Sequence, residues 1–119
     1  MAGLLYIIFM TETLVLSEEI HMTITKSTNG TSLSIGLEGR LDTTTAPQLE
    51  AELKASLEGV TELIFDFGNL SYISSAGLRI LLATQKTMNK QGSMVIRNAC
   101  EDIREVFELT GFQEYLTIE

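Results

Sequence analysis

The run Leu63-Ile64-Phe65-Asp66-Phe67 constrains this chain more than any other stretch, because all but Asp66 are large and apolar. That is the pattern of a strand held inside a sheet and covered by helices. Its flanks point to the fold class. Upstream, residues 46 to about 58 set Leu49, Leu53, Leu57 and Val60 on one helical face, and Thr45 with Gln48 reads as a capping box with Pro47 in the first turn. Downstream, residues 76 to about 90 turn Leu78, Leu81, Leu82 and Met88 inward, and Gly92 ends that helix. Two short alternating segments, residues 23–27 and 32–38, are separated by Asn29-Gly30, a hairpin signal, and should pair antiparallel. Residues 94–96 make a further strand. Asn98 with Glu101 looks like a start signal for a third helix over residues 99 to about 109, with Ile103, Val106, Phe107 and Leu109 facing in and Gly111 stopping it. Residues 115–118 supply a last short strand. The alternation predicts an α/β fold, a mixed β-sheet of four to five strands with an N-terminal hairpin, parallel central strands and crossover helices packed on it.

The chain has 119 residues, the length of one domain, enough to bury roughly two thirds of its unfolded surface. Residues 1–21 read as an extension and residues 22–119 as the domain, with Met22 a natural starting point. Residues 2–10 are apolar but far shorter than the roughly 20 residues needed to span a bilayer. No Lys or Arg precedes them and no small-residue cleavage signature follows, so they fit a secretory signal poorly. No transmembrane segment is expected; a partner-binding or membrane-touching arm is the alternative reading of this run.

With a net charge of −8 and only eight Lys plus Arg, the chain has no basic stripe, and direct binding of nucleic acid is not expected. The single cysteine, Cys100, cannot form an intrachain disulfide and fits a reducing compartment, as a small residue in a loop or first helical turn. The motifs of an enzyme are missing. There is no phosphate-cradling Gly-rich loop, the Ser75 region lacks the glycine two residues earlier that a nucleophile elbow needs, and the only histidine, His21, lies in the extension. No metal-ligand spacing is present. Neither catalytic residues, a metal nor a cofactor is expected.

What remains is the start of the second helix. Ser74 and Ser75 are good N-caps, the plain reading of such a pair. Gly77 adds a second feature: glycine in a first helical turn costs up to about 1 kcal/mol against alanine, and it leaves the backbone bare beside the Ser75 hydroxyl, as though something approaches there. The free amides and positive dipole end at that point favour a phosphate.

The stretch Asp66-Phe67-Gly68-Asn69-Leu70-Ser71-Tyr72-Ile73-Ser74-Ser75-Ala76-Gly77-Leu78 resembles the signature of the STAS-domain family, specifically the stand-alone bacterial anti-sigma factor antagonists. Two further stretches agree, Leu37 to Ala46, similar to a Gly-x-Leu-Asp-x-x-Thr loop, and Ile103 to Phe112, similar to the third-helix pattern. The resemblance covers residues 22–119 and implies a STAS fold. It implies a cytoplasmic partner switch: the unmodified protein binds an anti-sigma factor that is also a serine kinase and so frees a sigma factor, phosphorylation parts the complex, and a PP2C-type phosphatase restores the unmodified form. Carried onto this chain, the phosphoacceptor falls on Ser75 and the loop acid on Asp42. The strand-end acid falls on Asp66, which also reads as a polar position between two phenylalanines. Thr44, Ser74, Ala76, Gly77, Leu78 and Arg79 complete the implied partner-binding face. The family commonly has aspartate before the acceptor, where this chain has Ser74, and Ser or Thr after it, where this chain has Ala76. The interval to Gly77 and Leu78 selects Ser75. Other classes open to the same domain are a scaffold subunit of a membrane lipid-transport complex and a nucleotide-sensing module in the Asp42 and Ser75 cleft.

Overall fold

The computed structural model describes residues 22–119; the expected extension over residues 1–21, with His21, lies outside the described residues. Chain order is β1 (Met22–Asn29), β2 (Ser32–Leu41), α1 (Ala46–Ser56), β3 (Glu62–Ile73), α2 (Ser75–Gln91), β4 (Ser93–Arg97), α3 (Glu101–Thr110) and a 3-10 turn (Phe112–Glu114). The sheet order is β1-β2-β3-β4. β1 and β2 are antiparallel around Gly30, whose φ of 66° suits a tight hairpin turn, while β2, β3 and β4 run parallel. This is the mixed α/β sheet that the alternation predicts.

The expected helical cover of the central strand exists on one face only. Leu33, Ile35 and Leu37 of β2, Leu63, Phe65 and Phe67 of β3, and Met94 and Ile96 of β4 enter one core cluster with the buried stripes of all three helices. On the other face, Ser34 and Ile64 are half-buried and Asp66 and Arg97 exposed. Topology accounts for this. β2-α1-β3 and β3-α2-β4 step in the same direction, and two right-handed crossovers of that kind lay both helices on the same side.

β3 continues well past its expected end at Phe67. Gly36 opposes Asp66 while Glu38 opposes Asn69, and Gly39 opposes Leu70 while Arg40 opposes Tyr72, so β3 carries an extra residue twice against β2. Each bulge resets the inward side by three residues instead of two. Buried positions therefore run Phe67, Leu70, Ile73, and a segment expected as loop remains in the sheet.

Other expectations are corrected. Leu109 is 79% exposed: it lies six residues from Ile103, about 240° around the helix. The last strand shrinks to a single bridge between Ile96 and Ile118. Asn98 does not cap α3; it takes φ 65° and donates from Nδ2 to Asp66 Oδ1 at 3.1 Å, and Cys100 occupies the cap position. Leu82 is half-buried rather than fully inward.

Gly92 closes α2 at a point where the backbone itself leaves no room: a Cβ there would lie 1.8 Å from the Thr61 carbonyl oxygen. That carbonyl accepts from Ser93 N at 3.0 Å and leads β4 into register. Gly92→Ala is expected to destabilise the domain by roughly 3 kcal/mol, the upper end for forced overpacking, read as a lower urea midpoint; an unchanged midpoint would contradict this account.

Candidate functional site

β2 and β3 end side by side, with Leu41 opposite Ile73, and the ladder gains one more bond from Ser74 N to Leu41 O at 2.9 Å. The loop that follows β2 and the helix that follows β3 are thus held together at the carboxyl ends of parallel strands, where α/β sheets commonly place their sites.

Ser74 is the N-cap of α2. Its backbone is extended, and its Oγ accepts from Gly77 N at 3.5 Å, a long contact. Ser75 is the first helical residue, exposed, and its hydroxyl makes no hydrogen bond to any described residue. The two serines, alike in sequence, are therefore unlike in structure.

Asp42 organises the neighbouring loop. Its Oδ1 accepts from Thr44 Oγ1 at 2.7 Å, Thr44 N at 3.0 Å and Thr45 N at 3.2 Å. The Thr45 hydroxyl has one proton, which goes to Arg40 O at 2.7 Å rather than to Asp42 at 3.3 Å, and its oxygen accepts from Asp42 N at 2.9 Å. The expected Thr45/Gln48 capping box does not form. Gln48 Nε2 instead donates to Met22 O at 3.0 Å and ties β1 to α1, while the Asp42 carboxylate holds the turn that leads into the helix and its backbone carbonyl accepts from Ala46 N at 2.8 Å. The hydrogen bond from the Thr44 side chain leads, against some desolvation, and with the amides of Thr44 and Thr45 holds the Asp42 carboxyl below its ordinary value. Asp42 Oδ2 faces Arg40 Nε at 3.5 Å, and the Arg40 guanidinium lies 4.1 Å from the centre of the Tyr72 ring.

Between α1 and α2 an open groove of about 740 Å³ begins beside this end, lined among others by Thr43, Ala46, Leu57, Ala76, Arg79 and Ile80. Ala76 is half-buried along it and Arg79 exposed. Gly77 and Leu78 point the other way. A Cβ on Gly77 would meet Leu41 Cγ at 2.7 Å and Ile73 Cγ1 at 3.0 Å, and Leu78 is 4% exposed. The bare backbone of Gly77 thus answers to the sheet beneath it, a correction to the expectation of an outside approach.

Asp66 is not brought to this end. It stands seven residues before the end of β3, where Oδ1 accepts from Asn98 Nδ2 and from Gly68 N at 2.9 Å. The Asn98 amide first, then the Gly68 amide, lower its pKa. Its observed part is to hold the turn after β4. Arg40, Tyr72 and Thr43 were not picked out by sequence reading. The Arg40-Tyr72 pair is invisible until the second bulge is counted. Among the described residues no three His, Cys, Asp or Glu side chains gather as metal ligands, and no helix is long and apolar enough to cross a membrane.

The STAS domain family model matches residues 22–119, and the chain belongs to that family. It is 44% identical over 78 residues to BtrV of Bordetella bronchiseptica, named as a candidate anti-sigma factor antagonist, covering 64% of this chain and 67% of that one. It is 29% identical over 91 residues to the anti-sigma-B factor antagonist of Bacillus subtilis, covering 76% and 84%. Among solved structures, an anti-sigma factor antagonist from Mycobacterium paratuberculosis superposes with a TM-score of 0.77 at 24% identity, over 87% of this chain and 89% of that one. The Bacillus cell fate determinant SpoIIAA in its phosphorylated form superposes with a TM-score of 0.65 at 22% identity, over 82% and 91%. These likenesses agree with the four-stranded mixed sheet and three helices described above.

Two outcomes are expected. Gly77→Ala gains about 1 kcal/mol of helix propensity but overpacks Leu41 and Ile73 at a cost of roughly 2–3 kcal/mol, for a net loss of about 1–2 kcal/mol in chemical denaturation. For Asp42, the folded-state pKa lies below the ordinary 3.8. Its stabilisation is therefore complete above that value and is lost as the pH falls through the folded-state value. Asp42→Asn, which keeps one acceptor oxygen but loses its charge, should be less stable at neutral pH by about 1 kcal/mol, with a shallower loss of stability in acid than the wild type when unfolding is followed across pH.

Proposed function

We propose that this chain is an anti-sigma factor antagonist whose binding is switched off by phosphorylation of Ser75. The observation that carries the reading is the division of labour between the two serines: Ser74 is occupied as the cap, and Ser75 offers an exposed, unbonded hydroxyl at the first position of α2. The chain acts by binding, without catalysis of its own, in the cytoplasm, on an anti-sigma factor that is also a serine kinase. In the transfer step the γ-phosphoryl group of ATP passes to Ser75 Oγ, ADP leaves, and the hydroxyl proton goes to a base on the kinase. A PP2C-type phosphatase hydrolyses the ester and returns the hydroxyl.

The docking face comprises Ser75, Ala76 and Arg79 on α2 and Thr43 and Thr44 on the loop. Gly77 and Leu78 serve it from below by seating α2 on Leu41 and Ile73, and Asp42 serves it by fixing the loop. A phosphate adds about −1.5 to −2 charge at an exposed helix end, which the free domain tolerates. A partner seated over it must strip water from a dianion. Swinging the complex from 99:1 to 1:99 needs about 5.5 kcal/mol, which such a buried charge can supply.

Incubating the chain with its anti-sigma kinase and labelled ATP tests the reading. Wild type and Ser74→Ala should both incorporate phosphate, the latter in a protein less stable by about 1 kcal/mol from loss of the cap, while Ser75→Ala should incorporate none. Equal incorporation in wild type and Ser75→Ala would refute the assignment.

A further inference from the structure

Arg79 lies four residues beyond Ser75 on α2, a spacing that sets two side chains next to each other on a helix surface, with Cβ atoms roughly 5–6 Å apart. It is exposed and forms no ion pair with a described residue. The other charges around this end are engaged. Arg40 lies between Asp42 and the Tyr72 ring, the Asp42 carboxylate is filled by Thr44 and Thr45, and across the groove Lys54 pairs with Glu50 at 3.9 Å. Arg79 is thus the uncommitted cation nearest in sequence to Ser75, and it lines the groove together with Ala76 and Thr43.

We propose that Arg79 is the partner, within the same chain, of a phosphate carried on Ser75. The inference rests on the reading of Ser75 as the phosphoacceptor and adds how the modified state is held. The polarity of the pair is the favourable one, an anion placed one turn before a cation. A guanidinium presents two parallel N–H donors to phosphate oxygens, which a point charge does not. The consequence for binding is double. Phosphorylation adds an anion to the docking face and also engages the cation that stood free at the groove, so a partner that meets Arg79 in the unmodified protein loses that contact as well.

The test installs phosphoserine at position 75 of the full chain during translation and follows the phosphate by phosphorus NMR through its second ionisation, near pH ~6. An exposed pair lowers that midpoint modestly, so Arg79→Ala should raise it by about half a pH unit over the wild type, and the difference should shrink at high salt. Arg79→Lys, which keeps the charge without the fork, should fall between the two. Arg40→Ala, which only unmasks the Asp42 carboxylate in the adjoining loop, should raise the midpoint by less than Arg79→Ala does. Identical midpoints in wild type and Arg79→Ala would overturn the inference, as would a shift on removing Arg40 with none on removing Arg79. Because the phosphate is installed without a kinase, this result is independent of the incorporation assay. Failure of Ser75 as the natural acceptor and failure of Arg79 as the phosphate's partner are then told apart.

Discussion

Everything at the functional end hangs on the last rungs of the β2-β3 ladder. Leu41 and Ile73 are neighbours in parallel strands, and the next amide, Ser74 N, still bonds back to Leu41 O. Parallel strands leave the sheet in the same direction, so the Asp42 loop and the first turn of α2 are delivered side by side without any side chain having to bridge them. The packing beneath keeps that arrangement: Gly77 lets α2 come down onto Leu41 and Ile73 at a distance that even one methyl group would prevent. Leu41 is fully buried and serves at once as strand terminus, floor of the helix and origin of the loop.

The bulges in β3 are what bring this ladder to the right place. Without the two extra residues, the alternation that buries Leu63, Phe65 and Phe67 would send Leu70 outward, and β3 would leave the core before reaching the end of β2. With them, Leu70 and Ile73 are buried and Tyr72 is turned out toward Arg40. A bulge adds twist and re-aims side chains. Here it converts a strand that a regular period would have ended into one long enough to carry Ser74 and Ser75 to the sheet's rim.

Much of this was legible in residue pattern and some was not, for physical reasons. The hairpin at Gly30, the helix faces through Leu49, Leu53, Leu81 and Met88, and the parallel strands follow from period and turn chemistry, which are local. The continuation of β3 was hidden because its inward period changes from two to three, and no local rule reports a bulge. Thr45 does hold the cap position of α1, but its capping box does not form, because Arg40 O and the Asp42 amide compete for its hydroxyl and win. Gly77 is an oddity in sequence whose cause lies on the buried side: its missing Cβ matters to Leu41, a residue 36 positions earlier, which sequence proximity cannot show. Leu109 is different, since helical geometry alone turns it away from Ile103 and Phe107, and its apolar character outweighed its angle. The resemblance to the STAS family points to Ser75 because the motif spans both strand end and helix start, and the structure places that residue exposed at the first position of α2.

Serine rather than aspartate at position 74 has an electrostatic side that follows from this geometry. Either residue can cap α2 by accepting from the amide three residues on, but aspartate brings a full charge next to Ser75 and serine brings none. A phosphate on Ser75 would then face fewer anions in this chain than beside an aspartate cap. Asp42 remains close in the adjoining loop, but its carboxylate is already met by three donors from Thr44 and Thr45 and by Arg40 at 3.5 Å. Its repulsion is correspondingly blunted. On the proposed reading, the first turn of α2 meets that negative charge in the free protein with open amides, a neutral cap and the cation at Arg79. The proposed switch needs both tolerance in the free state and intolerance under a docked partner, because it responds only to the difference between its two states.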